Sequence, residues 1–175
     1  MDSARRLVAF SRRLREEPRV LEVGTLVRES VELIRHRCER EGILLIIQAD
    51  VEADAEPTVL GRFAELQQAL LNLIQNSREA IASTPREGEG GVIHLSVESD
   101  DDRVRISVTD DGPGIPPEVG DSVFDLFYTT KSAADAHGLG LTLSRSVAER
   151  HGGTLELVAA AAGACMVLEL PLAAG

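Results

Sequence analysis

Val104-Arg105-Ile106-Ser107-Val108 alternates apolar and polar residues, and after Thr109 it runs into Asp110-Asp111-Gly112-Pro113-Gly114-Ile115-Pro116. Alternation with a period of two marks a half-buried strand, so the special residues begin where a strand ends. Aspartate, glycine and proline are also what an ordinary turn prefers. The functional reading is that Asp110 aims its carboxylate into a pocket, while Gly112 and Gly114 let a flat ring approach the backbone. An ionised aspartate accepts hydrogen bonds and donates none. It therefore selects a ring with an exocyclic amine, such as adenine, over one presenting a carbonyl there.

Upstream, Val92 to Val97 alternates in the same way, and the acidic turn Ser99 to Arg103 joins the two runs into an antiparallel hairpin. Before it, Leu66, Ala69, Leu70, Leu73, Ile74, Ser77, Ala80 and Ile81 follow helical spacing over Phe63 to Ala82, and a polar loop, Ser83 to Gly91, follows that helix. Further back, Thr58 to Leu60 reads as a short strand, Asp50 to Glu56 as a solvated acidic loop and Ile43 to Ala49 as a strand. Thr25 is the expected cap of a helix that buries Leu26, Val27, Ser30, Val31, Leu33 and Ile34, runs to about Glu41 and stops at Gly42. Val20 to Val23 is a short extended piece, and Pro18 stops an amphipathic helix over 2–16 striped by Leu7, Phe10 and Leu14.

Downstream, a helix runs from Leu141 to about Arg150 and ends at His151-Gly152-Gly153. Strands over Thr154 to Val158 and Cys165 to Leu170 meet across an alanine-glycine turn. Helices thus alternate with antiparallel strands rather than with a parallel repeat. The expected class is α+β, a mixed, mostly antiparallel sheet with helices on one face.

A length of 175 residues suits one domain, and no purely apolar run, the strand-sized Ile43 to Ile47 included, is long enough to span a bilayer. The charged N-terminus lacks the apolar centre of a signal peptide. Cys38 and Cys165 have no metal-type spacing and read as free cytosolic thiols. With 29 acidic against 18 basic residues, the net charge of -11 disfavours nonspecific nucleic-acid binding. A polyanion can bind such a chain only through a local device: glycine-loop amides, a helix N-terminus or a metal ion.

Three further stretches offer such devices. Asn72 and Asn76 stand four apart on the long helix, so their amides point to one side of an otherwise apolar region. An asparagine carbonyl is a hard oxygen ligand of the kind Mg2+ takes beside nucleotide phosphates. Gly138-Leu139-Gly140-Leu141 leads into a helix N-terminus, where free amides and the dipole favour phosphate. Before it, Phe124, Phe127, Thr129, Thr130 and Lys131 form an apolar-then-cationic stretch, and Ser132 to Ala136 are small residues suited to a lid.

The order of these pieces resembles the ATP-binding domain of sensor histidine kinases, whose wider relatives are gyrase-type, Hsp90-type and MutL-type ATPases. Leu71 to Asn76 looks like the asparagine box, and Asp110 to Gly114 like the first glycine box. Val123 to Lys131 looks like the phenylalanine box, and Gly138 to Leu141 like the second glycine box. The resemblance covers about residues 20 to 172 and implies a Bergerat fold, with ATP between helix and lid. It implies that Asp110 meets the adenine amine, Asn76 the Mg2+, and Asn72 and Lys131 the phosphate region. Gly112, Gly114, Ile115, Phe127, Thr130, Gly138, Leu139, Gly140, Leu141 and Cys165 complete the implied nucleotide site. Cys165 stands where the family often has Thr or Ser near the adenine. Ala136 replaces the first glycine of the second box, and the lid is about two residues longer than in close relatives.

The phosphoacceptor is missing. His36 lacks an acidic neighbour, His94 lies in a strand, His137 in the lid and His151 in a helix-ending turn. Residues 1–17 look like the end of a dimerisation hairpin's second helix, and 18–175 like the catalytic domain. The expected function is transfer of the ATP γ-phosphate to a histidine of a dimerisation domain. A response regulator receiver is the downstream partner, the full-length protein a homodimer, and the location cytoplasmic. The alternatives are a water-hydrolysing ATPase, an anti-sigma-type serine kinase, or a binding module with impaired catalysis. Against hydrolysis, the position of those relatives' glutamate base holds Asn72.

Overall fold

The structure, a computed structural model, describes residues 17–49, 56–83, 90–116, 118–125, 139–160 and 162–174. The helix expected over 2–16 lies outside these residues, as do most of the two loops expected after Ala49 and Ser83. Five strands form the main sheet: β2 (Ile43–Ala49), β4 (Gly91–Ser99), β5 (Arg103–Asp110), β6 (Thr154–Val158) and β7 (Cys165–Pro171). Their order is β2-β4-β5-β7-β6, with β2 and β4 parallel and the other neighbours antiparallel. A separate ribbon pairs β1 (Arg19–Glu22) with β3 (Thr58–Gly61), burying Leu21 against Val59.

Three helices, α1 (Val23–Arg40), α2 (Phe63–Ala82) and α3 (Gly140–Arg150), cover one face of the sheet. The pleat decides which side chains meet them. Ile93, Leu95 and Val97 of β4, Val104, Ile106 and Val108 of β5, and Met166, Leu168 and Leu170 of β7 are all buried. They form one core with Leu66, Leu70, Leu73 and Ile74 of α2. This is the mixed, helix-covered α+β sheet that the patterning predicts. In the β4–β5 turn, Asp100 Oδ1 accepts the amides of Asp102 at 3.1 Å and Arg103 at 2.9 Å. Those amides hold its carboxyl below the usual range, and they explain why an acidic turn closes this hairpin.

Two local expectations fail at α1. The helix begins at Val23, after Glu22, and Thr25 is not its cap; its hydroxyl lies 3.2 Å from the Glu22 carboxylate instead. The backbone of β1 turns directly into the helix, because the Val23 amide bonds the Pro57 carbonyl beside the ribbon. Leu33, expected inside, is 66% exposed, while Cys38 is fully buried. The apolar stripe follows 23, 27, 31, 34 and 38 and leaves 33 outside it. Burial also pushes the Cys38 thiol up from its ordinary pKa.

The C-terminal end of α1 is locked to α2 by charge. Arg78, on α2 and only 4% exposed, places Nη1 at 2.6 Å from both carboxylate oxygens of Glu41, and Nη2 at 3.4 Å from Glu79. Removing one member of a buried pair leaves the other charge without compensation. Glu41→Ala should therefore lower the unfolding free energy by about 2–3 kcal/mol, below the full cost of breaking a buried pair, because Glu41 is partly exposed and Glu79 remains. Urea denaturation checks this; a loss of less than about 0.5 kcal/mol would mean Arg78 is held by packing alone.

Candidate functional site

The last residue of β5, Asp110, is 5% exposed. Its Oδ1 accepts the Gly112 amide at 2.9 Å and the Ala164 amide at 3.3 Å. Its Oδ2 takes no hydrogen bond from the described residues and is not sealed from solvent. A buried carboxylate is thus anchored by one oxygen and offers the other. The neighbouring Asp111 plays a structural part, since its Oδ1 accepts the Val92 amide at 2.9 Å and extends the β4–β5 pairing past the strand end.

Two glycines make this arrangement possible. A Cβ on Gly112 would lie 2.7 Å from Asp110 Oδ1. At Gly163 the backbone is left-handed, with φ of 65°, and a Cβ would fall 1.8 Å from the Asp110 carbonyl oxygen. Only a residue without a side chain lets the β6–β7 turn close on the strand end. Gly114 likewise meets the Gly163 carbonyl, so the glycines expected to admit a ring first admit one backbone to another.

From this turn, one stripe of α2 leads to α3. Ala80 Cβ lies 3.5 Å from where a Gly112 side chain would begin, and Asn76 Nδ2 lies 4.0 Å from the same point on Gly140. Asn72, one turn further, reaches Gly140 itself. Residues 80, 76 and 72 rise by about 12 Å along the helix. An elongated ligand would therefore have Asp110 at one end and the N-terminus of α3 at the other.

The two asparagines behave differently. Asn76 is half-buried and its side chain makes no hydrogen bond with the described residues, so its carbonyl oxygen is free to ligate. It fits Mg2+, which takes few protein oxygens when phosphates and water supply the rest. Asn72 is committed: Nδ2 donates to Gly140 O at 3.2 Å and Ser144 Oγ at 3.3 Å, and Oδ1 accepts Gln68 Nε2 at 3.0 Å. Both of its donors face α3.

On the far flank of α3, Thr142 donates to the Phe124 carbonyl at 2.8 Å, and the Arg145 guanidinium lies 4.8 Å from the Phe124 ring centroid. Phe124, within the short 3-10 helix Gly120–Phe124, is buried. Leu139, Gly140 and Leu141 are half-buried at the start of α3, whose N-terminus has no side-chain cap. Ile115 packs against the core edge. Phe127, Thr130, Lys131 and Gly138 lie outside the described residues.

Cys165 does not belong with Asp110. It stands opposite Thr109 in the β5–β7 register, and directly opposed residues share a face. Asp110 is one residue further and points to the helix side, as the buried Val108 and Met166 pair does. The residue beside the carboxylate is Ala164, through its amide. A backbone donor leaves no mark in sequence. Ser144 and Gln68 are site residues that the motifs do not mark; the i, i+4 spacing of Ser144 from Gly140 is the one signal available for the serine.

A five-stranded mixed sheet with three helices on one face, an aspartate at a strand end and a glycine at the start of a helix are the features set beside known ATPases. The chain belongs to the histidine kinase-, DNA gyrase B- and HSP90-like ATPase family, whose model matches residues 61–174. It is 33% identical over 153 residues to the sensor histidine kinase ZraS of Escherichia coli K12, covering 87% of this chain and 30% of that protein. It is 32% identical over 170 residues to the sensor protein FixL of Bradyrhizobium diazoefficiens, covering 97% of this chain and 32% of that protein. The chain thus spans about a third or less of the curated relatives it matches. The catalytic domain of the histidine kinase ThkA superposes with a TM-score of 0.76 at 29% identity, covering 89% of this chain and 97% of that one. ThkA in complex with the response regulator TrrA gives 0.73 at 27% identity, covering 89% of this chain and 42% of that one. The architecture is that of histidine kinase catalytic domains. No helix among the described residues is long and apolar enough to cross a membrane.

The opposite-face position of Cys165 is testable by thiol labelling. A maleimide at neutral pH should modify half-buried Cys165 first and spare Cys38 until urea unfolds the chain. Saturating ADP should leave the Cys165 rate unchanged. Strong protection by ADP would return Cys165 to the ligand side of the sheet.

Proposed function

We propose that this chain binds Mg-ATP and transfers its γ-phosphate to a histidine on a dimerisation domain. The observation that carries the reading is the α2 stripe from Ala80 through Asn76 to Asn72, which joins the Asp110 turn to the start of α3. In this proposal Asp110 Oδ2 accepts the adenine amine, with Gly112, Gly114 and Ile115 beside the ring. Leu139, Gly140 and Leu141 offer amides to the phosphates, joined by Gly138, Phe127, Thr130 and Lys131. Asn76 would ligate Mg2+, which neutralises charge on the phosphates when bound. Asn72 serves the phosphate region through the helix it holds.

The protein's work is orientation and charge placement, since phosphoryl transfer asks for little covalent help. The bond from the γ-phosphorus to its bridging oxygen breaks as a phosphorus–nitrogen bond forms to the histidine, and ADP leaves. The ring proton passes to a base on the acceptor domain or to solvent. A receiver domain of a response regulator then takes the phosphoryl group, in a cytoplasmic, dimeric signalling protein.

Hydrolysis is the weaker reading. An amide at 72 takes no proton from water, and Glu79 is engaged by Gln75 at 2.9 Å and by Arg78. Calorimetric titration tests the adenine assignment. Asp110→Asn should weaken ATP and ADP binding by at least about tenfold, through loss of the charge-assisted bond, and GTP should bind the parent poorly. Equal affinity for GTP and ATP would sink it.

Transfer is tested with labelled ATP, Mg2+ and the dimerisation domain of the chain's own full-length protein. That domain's histidine should acquire acid-labile phosphate, slowly because the two are separate molecules in the assay, while the chain alone acquires none. Asn76→Ala should abolish transfer and the Mg2+ dependence of binding without unfolding the chain. Stable acid-labile phosphate on His36 of the isolated chain would overturn the scheme.

A further inference from the structure

The start of α3 has an unusual construction. A helix that begins at Gly140 behind Leu139, with no side-chain cap among the described residues, leaves its first amides without partners there and little to stop the first turn from fraying. Glycine adds to that freedom. Yet the Gly140 carbonyl is gripped from α2. Asn72 Nδ2 donates to it at 3.2 Å, and the Ser144 hydroxyl donates to it at 2.8 Å from one turn along. The same hydroxyl oxygen also accepts from Asn72 Nδ2, at 3.3 Å. Three groups therefore close a small ring of hydrogen bonds, and Gln68 steadies the far side of the Asn72 amide at 3.0 Å.

Ser144 is the centre of this ring. It is 1% exposed, and the Ala69 carbonyl of α2 lies 3.4 Å from its hydroxyl as a second acceptor. An alanine there would remove one of the two acceptors that α3 offers the Asn72 amide and one of the two side-chain donors to the Gly140 carbonyl. Losing hydrogen bonds in a half-buried seam loosens what they hold. On the opposite flank Thr142 holds the Phe124 carbonyl, so the first turn of α3 is fixed from both sides.

We infer that Ser144 is a positioning residue: through Asn72 and Gly140 it aims the free amides of α3 at the phosphates of the bound nucleotide. The inference rests on the nucleotide reading above and adds to it a residue that touches no ligand. Its effect is confined to the phosphate end, because the adenine end is built by Asp110, Gly112 and Ala164 on β5 and the β6–β7 turn.

That separation supplies the test. Adenosine, ADP and ATP with Mg2+ are titrated against the parent, Ser144→Ala and Ser144→Thr. Ser144→Ala should weaken ADP and ATP about tenfold and leave adenosine within about twofold. Ser144→Thr keeps the hydroxyl and should restore ADP binding to within about threefold of the parent. In the unliganded Ser144→Ala chain, amide exchange should quicken at Leu143, whose N–H bonds Leu139 O at 3.0 Å, but not at Val147 or Ala148. Equal losses for all three ligands, or no loss for ADP, would overturn the inference. So would Ser144→Thr behaving like the alanine variant. Failure of the parent to bind ADP would overturn the nucleotide reading, and this inference with it.

Discussion

One oxygen of Asp110 is held and the other is free, and the site end of the sheet depends on that division. A carboxylate this buried needs hydrogen bonds to remain charged at tolerable cost. Had both oxygens been satisfied from within, nothing would remain to recognise a ligand. Two amides, Gly112 and Ala164, converge on Oδ1 alone, and each arrives by a different route. Gly112 follows in the chain; Ala164 is delivered by the antiparallel β5–β7 register. The register in turn closes only because Gly163 has no side chain where the Asp110 carbonyl stands. Sheet pairing, turn chemistry and the proposed adenine contact therefore meet in one residue.

Charge imposes a second constraint. A chain with a net charge of -11 repels a nucleotide at long range, and its arginines are poorly placed to help. Arg78 is spent on Glu41, Arg103 and Arg105 on Glu169, and Arg150 on Glu65. In the proposed function, attraction comes at short range, from Mg2+ and Lys131 together with dipoles and fixed amides. The free end of α3 provides these, and its rigidity then matters more than any surface potential.

Much of this is legible in the sequence, because hydrophobic period is a strong signal over long elements. Phe63 to Ala82 forms a helix with the expected bounds, and the β4–β5 hairpin pairs as its alternation requires. Sequence and structure part where the signal is one residue wide. Thr25 resembles a cap, but the ribbon hands the chain to the helix three residues earlier, with Glu22 at the cap position. Cys165 and Met166 are neighbours in sequence and lie on opposite faces of the sheet, so a shift of one exchanges the helix side for the other face. Asn72 has the residue type of a ligand for the phosphate region. The two partners of its Nδ2 lie about 70 positions away, on a helix whose packing no local pattern encodes.

That last case links the packing of α2 and α3 to the choice of chemistry. Asn72 donates twice to α3 and accepts once from Gln68, which uses both functions of an amide. A carboxylate at the same place could donate neither bond. It would set negative charge against the Gly140 carbonyl and deprive Ser144 of its donor, in a half-buried seam where such contacts are poorly screened. A glutamate base at this position therefore needs a differently built α2–α3 seam, one in which α3 is held by other groups. The asparagine that closes the seam here also withholds the base that would activate water. In this chain the rigidity of the α3 amides and the weakness of the hydrolysis reading have the same physical origin.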